Sequence, residues 1–239
     1  MIEEIEQYLE KHDFRAFTPK VVLFDMDGVL YDSMPNHAIA WQKAMQLYGI
    51  HFTAADAYAT EGARGVDTIR LYWRKQKGEE ITEERAQEIY DVKTNFFHEM
   101  PTAPIFEGVI PLMKKIKSSG LTIGVVTGSG QRPLIQRLVE DFGEFLDEEH
   151  IVTAYDVERG KPNPDPYQMG LKKAGNLQPN EGIVVENAPL GVEAGVAAKI
   201  FTVAVNSGPL PDSTLSQAGA NMVYKTMAQF CSDWNLFNK

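Results

Sequence analysis

From about residue 110 onward, short β-branched apolar runs alternate with helical patterns, and this alternation restricts the fold more than any other feature. A helix over 109–119 ends at Gly120, and 121–126 reads as a strand closing on Thr127-Gly128-Ser129-Gly130. A helix over 132–142 leads to a strand at 151–154. The loop Gly160-Lys161-Pro162-Asn163-Pro164 opens a helix over 165–174. A strand at 183–185 ends at Glu186-Asn187, a helix covers 190–198, and a strand covers 201–205. A weak strand at 222–224 and a C-terminal helix follow. Consecutive strands joined through helices pair in parallel, and a parallel sheet needs both faces covered. The expected class is α/β.

The first part of the chain breaks this pattern. Residues 1–13 read as a short amphipathic helix, with Ile2, Ile5, Tyr8 and Leu9 on the side that packs. Pro19 punctuates it, and a strand over 21–25 follows. Residues 33–100 are then helical without convincing strands. Trp41, Ala44, Met45 and Tyr48 recur at helical spacing up to Gly49, a second helix passes through Ile69, Tyr72 and Trp73, and Lys77-Gly78-Glu79 breaks it. Thr82-Glu83-Glu84-Arg85 resembles a capping box for a third helix running to about 99. A helical block of this size, inserted after a strand, is read as a second, all-α domain. The expected division is a core of 1–32 with 102–239 and a cap of 33–101.

Polar residues gather where strands end. The run Val21-Val22-Leu23-Phe24 is followed by Asp25-Met26-Asp27-Gly28. Strand periodicity of two sends residues i and i+2 to one side, so Asp25 and Asp27 should face one site. Two carboxylates that close need a cation or a shared proton; the plainer alternative is a surface turn. Thr127 with Gly128 ends a second strand, Glu186 with Asn187 a third, and Lys161 lies in a loop before a helix. Open parallel sheets bind ligands at the carboxyl ends of their strands. A nucleophilic carboxylate, a second one to move a proton, a hydroxyl in a glycine-rich turn, a lysine and oxygen ligands for Mg²⁺ together suit phosphoryl transfer.

Composition narrows the partners. Among 239 residues the formal charge is -10, which argues against nucleic acid and requires a local positive site for any anionic substrate. One cysteine, Cys231, excludes an intrachain disulfide framework and fits a reducing compartment. No apolar run approaches the roughly 18 residues of a membrane span. Met1-Ile2-Glu3-Glu4-Ile5-Glu6 is acidic, unlike a signal peptide. The expectation is a cytoplasmic monomer that binds neither membrane nor nucleic acid.

The motifs Phe24-Asp25-Met26-Asp27-Gly28-Val29, Val125-Val126-Thr127-Gly128-Ser129, Gly160-Lys161-Pro162 and Val184-Val185-Glu186-Asn187-Ala188-Pro189-Leu190-Gly191-Val192 resemble those of the haloacid dehalogenase superfamily. The likeness is to its branch with a helical cap and covers nearly all of the chain except the N-terminal helix. It implies a Rossmann-like parallel sheet with an inserted all-α cap. It also implies Asp25 as nucleophile and Mg²⁺ ligand, and Asp27 as general acid/base with its backbone carbonyl on the metal. Thr127 and Lys161 would hold the transferring phosphate, and Glu186 and Asn187 would serve the metal. Asp32-Ser33-Met34-Pro35-Asn36-His37 with Trp41 resembles the β-phosphoglucomutase-like phosphatases, whose His, here His37, contacts Asp27. Arg64 and Lys93 of the cap, with Gly128, Ser129 and Asn163 on the core loops, complete the expected substrate contacts.

Two departures stand out. Most of that branch has Asp where this chain has Asn187, which implies weaker metal binding with activity retained. Glu61 would repel a second phosphate unless a metal or protonated group intervenes; the plainer reading is a solvated loop residue. An acidic residue here together with a Glu-Asn motif resembles inorganic pyrophosphatases. The expected activity is a Mg²⁺-dependent phosphohydrolase acting through an aspartyl phosphate on pyrophosphate or a small phosphate monoester. A hexose phosphate mutase is the alternative, and a non-catalytic phosphate-binding module a third.

Overall fold

The computed structural model describes residues 1–238. Its centre is a six-stranded parallel sheet in the order β3-β2-β1-β4-β5-β6, made of β1 (Val21–Phe24), β2 (Thr122–Val126), β3 (Ile151–Val152), β4 (Gly182–Glu186), β5 (Phe201–Val205) and β6 (Met222–Tyr224). All neighbouring pairs run parallel, with Val21 opposite both Thr122 and Gly182. The period of two is visible in the packing. Val22 and Phe24 enter one apolar cluster with Ile123, Val125, Ile183, Val185, Phe201 and Val203. Val21 and Leu23 enter the opposite one with Val126, Val184 and Tyr167. Both faces are covered, which is why these strands read as unbroken apolar runs.

α6 (Val109–Ser118) leads into β2, α7 (Arg132–Phe142), α8 (Asp165–Lys173), α9 (Pro189–Ala197) and α10 (Asp212–Gln217) separate the later strands, and α11 (Met227–Asp233) follows β6. The N-terminal α1 (Ile2–His12) docks through Tyr8, whose hydroxyl donates to Lys199 O at 2.9 Å and whose ring meets Phe201 edge-on. Met1, Ile5 and Leu9 pack against the same cluster, but Ile2 points outward at 76% exposure. The strand expected over 151–154 stops at Val152, because Asp156 Oδ2 accepts from both the N–H and the hydroxyl of Thr153 and pulls the chain into a turn.

Between β1 and α6 lie α2 (Met34–Leu47), α3 (Ala54–Ala59), α4 (Gly65–Lys77) and α5 (Glu83–His98). They close around their own cluster of Trp41, Met45, Ile69, Tyr72 and Ile89. Thr82 caps α5 by accepting from Arg85 N–H, but Arg85 occupies the place of the reciprocal carboxylate, so only half the box forms. The separate cluster supports our proposal that 33–101 is a cap and 1–32 with 102–239 a core; Lys239 lies outside the described residues. No helix among the described residues is long and apolar enough to cross a membrane.

Candidate active site

The chain runs from β1 outward through β2 to β3 and then crosses back to β4 on the other side of β1, so the carboxyl ends of β1, β2 and β4 flank the switch point where parallel sheets bind ligands. Asp25 N–H donates to Val185 O at 2.9 Å, so the ladder fixes this carboxylate one residue past β1, at 4% exposure. A tight turn follows, with Leu30 N–H donating to Met26 O and Gly28 N–H to Tyr31 O. Gly28 takes φ 82°, and a Cβ there would lie 2.1 Å from Asn187 Nδ2, so both the backbone and the space require glycine.

Lys161 joins the strand ends. Its Nζ donates to Asp25 Oδ1 (2.5 Å), Glu186 Oε1 (2.6 Å) and Val126 O (3.1 Å) with the side chain 1% exposed. Burial would depress the lysine, but the two carboxylates outweigh it and keep it an ammonium. Burial also raises Asp25, against the pull of Lys161. Glu186 accepts at Oε1 from Tyr167 OH (2.6 Å) as well, and at Oε2 from the N–H groups of Asn187 and Ala188. Both of its oxygens are therefore engaged, and the structure places Glu186 as the anchor of Lys161 rather than as an open metal ligand. Thr127 lies opposite, buried, its Oγ1 accepting from Ser129 N–H at 3.0 Å; Ser129 Oγ in turn accepts from Gln131 N–H.

The cap supplies the other wall. Lys93 Nζ donates to His37 Nδ1 at 2.7 Å, and His37 Nε2 meets Asp27 Oδ1 at 3.1 Å. An ammonium at Nδ1 leaves the proton of the ring on Nε2, so neutral His37 donates to Asp27. Burial and Lys93 both push the His37 pKa down. Burial raises Asp27, but the hydrogen bonds from His37 and Ser33 (Oγ at 2.6 Å) oppose it and the carboxyl lies below its usual range. Lys93 is 2% exposed, drawn down to about 8 by burial, and boxed by the rings of Trp41, Tyr90 and Phe97 at 5.1 to 5.7 Å.

Glu61 comes in from the cap loop. Its Oε2 accepts from Asn187 Nδ2 at 2.8 Å, while Glu61 Oε1 and Asn187 Oδ1 are buried with no hydrogen-bond partner. Burial and the nearby Asp25 raise the Glu61 carboxyl well above its usual range. Two orphaned oxygens beside a buried aspartate are costly as they stand, and they are hard donors of the kind Mg²⁺ takes. No three carboxylates, imidazoles or thiols converge on one point among the described residues. A cation here would therefore draw on amide and backbone oxygens too. The half-open chamber between cap and core, about 70 Å³, is lined by Asp25, Asp27, His37, Glu61, Lys93 and Thr127 among others.

A family model for haloacid dehalogenase-like hydrolases matches residues 19–199, the stretch that carries all of these strand-end residues. The chain belongs to the haloacid dehalogenase-like hydrolases. Hexitol phosphatase A of Escherichia coli (strain K12) is 33% identical over 190 residues, covering 79% of this chain and 83% of that protein. Pyrophosphatase PpaX of Oceanobacillus iheyensis is 24% identical over 186 residues, covering 78% and 83%. A solved structure from Bacteroides vulgatus, described provisionally as a beta-phosphoglucomutase, superposes with a TM-score of 0.94 at 48% identity, over 98% of this chain and 95% of that one. This hydrolase is an enzyme of the phosphatase type.

In this hydrolase, Asp25, Asp27, His37, Glu61, Lys93, Thr127, Gly128 and Ser129 all line the chamber, and Lys161, Glu186 and Asn187 back it. Arg64 and Asn163 are not brought there. Arg64, the N-cap of α4, pairs with Asp67, side chain 35% exposed, and Asn163 Nδ2 closes its own turn on Gly160 O; both line an outer groove, and Arg64 also borders a small separate cavity beside Thr127, Gly128 and Lys161. Sequence reasoning missed Ser33, Tyr167, Tyr90 and Phe97. The last two lie three residues before and four after Lys93, the spacing that puts them on the same helix face. Phe97 stacks on His37 with centroids 4.1 Å apart.

Proposed function

We propose that this hydrolase is a Mg²⁺-dependent phosphohydrolase acting through an aspartyl phosphate on Asp25, with inorganic pyrophosphate its best-fitting substrate and small phosphate monoesters next. The observation that carries the reading is Glu61. A buried carboxylate with one orphaned oxygen, set among Asp25, Asp27 and Asn187, suits a metal-bound pyrophosphate.

Asp25 attacks phosphorus, the bond from phosphorus to the bridging oxygen breaks, and the electron pair leaves with inorganic phosphate. Water then attacks the phosphorus of the aspartyl phosphate. Asp27, oriented by Ser33 and His37, takes its proton, and the Asp25–phosphorus bond breaks to release the second phosphate and free Asp25. Lys161 and the amides of the Thr127 turn neutralise phosphate oxygens as charge shifts. Asp25, the Asp27 carbonyl, Asn187 and Glu61 would hold Mg²⁺, which when bound neutralises phosphate charge and orients the substrate.

A hexose phosphate mutase is the second reading, favoured by the 48% identity to the Bacteroides vulgatus protein. One assay separates them. The enzyme is incubated with Mg²⁺ and pyrophosphate, sugar phosphates or β-glucose 1-phosphate, and both phosphate and isomerised sugar are measured. Phosphate release fastest from pyrophosphate, lost on removal of Mg²⁺ and in Asp25→Asn, is expected. Isomerisation without release would overturn it.

A further inference from the structure

We propose that Tyr58 is a positioning residue: it seats the cap on the core loop 206–210 and so sets how far Glu61 enters the chamber. The inference rests on the reading above in which Glu61 holds Mg²⁺. Tyr58 stands in the last turn of α3, three residues before Glu61, and packs on the cap's own apolar cluster. One edge of its ring meets Gly208 of the core: a Cβ there would lie 2.8 Å from ring Cδ1 and 2.9 Å from Cε1. Gly208 does not take a left-handed φ, so its backbone would admit a side chain. What excludes one is the ring.

Both sides of this contact are stiff. On the core side, Asn206 N–H donates to Tyr224 O of β6 at 2.8 Å, and Asn206 Nδ2 donates to Leu210 O at 2.7 Å and Asp212 Oδ1 at 2.5 Å, which closes the loop at both ends. Ser207 Oγ donates to Gly28 O at 2.6 Å and ties the loop to the turn that carries Asp25 and Asp27. On the cap side, Thr60 ends α3 with its N–H and its hydroxyl both on Asp56 O, at 3.0 and 2.8 Å, and Ala63 N–H donates to Thr60 O. Glu61 then meets Asn187, whose side chain fills the space beside Gly28. The contacts close a circuit from Gly28 through Ser207, Gly208, Tyr58, Glu61 and Asn187 back to Gly28. Within it, the hydrogen bond from Asn187 to Glu61 joins two groups that a cation would draw on, whereas the ring against Gly208 is apolar and owes nothing to a cation. Mg²⁺ tolerates little departure from octahedral geometry, so a carboxylate on a loop serves it only where the loop is held.

The test is Mg²⁺ binding to the substrate-free enzyme, measured by isothermal titration calorimetry. Glu61→Gln should raise the Kd for Mg²⁺ about fivefold or more. Tyr58→Ala should raise it about fivefold in the wild-type background but less than about twofold in Glu61→Gln, because it acts through that carboxylate. Tyr58→Phe keeps the ring and should stay within about twofold of wild type. Gly208→Ala, whose methyl group displaces the ring, should weaken binding alone but not in the Tyr58→Ala background. Should Tyr58→Ala fail to fold, Gly208→Ala with and without Glu61→Gln carries the same comparison. If Glu61→Gln weakens binding while Tyr58→Ala and Gly208→Ala leave it unchanged, or weaken it equally in both backgrounds, the seat is overturned and the Mg²⁺ reading of Glu61 stands. A Glu61→Gln variant that binds Mg²⁺ like wild type would overturn that reading and this one with it.

Discussion

Lys161 holds together groups that would otherwise repel. It sits between Asp25 and Glu186, all three at or below 4% exposure, and its third proton meets a carbonyl. Removing one partner of such a set leaves charge buried without compensation, at a cost of roughly 3–5 kcal/mol. Lys161→Ala is therefore expected to lose that much stability in urea denaturation without added metal, and a loss below about 1 kcal/mol would count against the pairing. Asp25→Asn, which removes a carboxylate and keeps an amide of the same shape, should fold and show no turnover, so that loss of activity is separable from loss of structure. Of these residues the sequence showed which chemistry was present. It did not show that Glu186 spends both oxygens on Lys161, Tyr167 and its own backbone, because hydrogen-bond partners 19 and 25 residues away are a matter of packing.

At the scale of elements, α3 holds the approach to Glu61. Thr53 caps it in a reciprocal box: Asp56 Oδ2 accepts from Thr53 N–H and hydroxyl at 2.7 and 2.6 Å, and Thr53 Oγ1 accepts from Asp56 N–H. Asp56 Oδ1 accepts from Tyr72 OH of α4 at 2.7 Å, so one carboxylate ties two cap helices. Burial raises its pKa, and these donors together outweigh that and lower it. A lowered carboxyl adds stability that is fully present above the unfolded value of about 3.9 and is lost as pH falls through the folded value. Asp56→Asn should cost about 1 kcal/mol at neutral pH, and its gap from wild type in thermal melts should close below about pH 4. A gap that persists in acid would mean the carboxylate is not what matters. This short helix was not foreseen, since six residues offer too few turns for a period to show. The long elements were legible: α7 and β5 run over the residues their patterns predicted.

For the whole molecule, the cap is joined to the core by two crossings, and Arg137 of α7 grips both. Its guanidinium lies 4.0 Å from the centroid of Tyr31, on the first crossing, and Nη2 donates to Ala103 O at 2.6 Å, on the second. Asp141 completes the joint by accepting from Arg137 Nε and Tyr31 OH. Arg137→Ala should raise KM for pyrophosphate about fivefold, the worth of one hydrogen bond of roughly 1 kcal/mol, with a smaller effect on kcat and faster proteolysis between residues 99 and 104. Unchanged KM and proteolysis would show that backbone pairing alone holds the joint. By itself the sequence determined the parallel sheet, the helical insert and the strand-end residues, because periodicity and position along the chain are local properties. Only the tertiary structure decided that Glu61 enters the chamber to meet Asn187 while Arg64, three residues on, turns away to Asp67. The reason is physical: which side of a loop faces the core is set by how the cap lies on it, and here a ring against Gly65 and a loop against Gly128 set that approach.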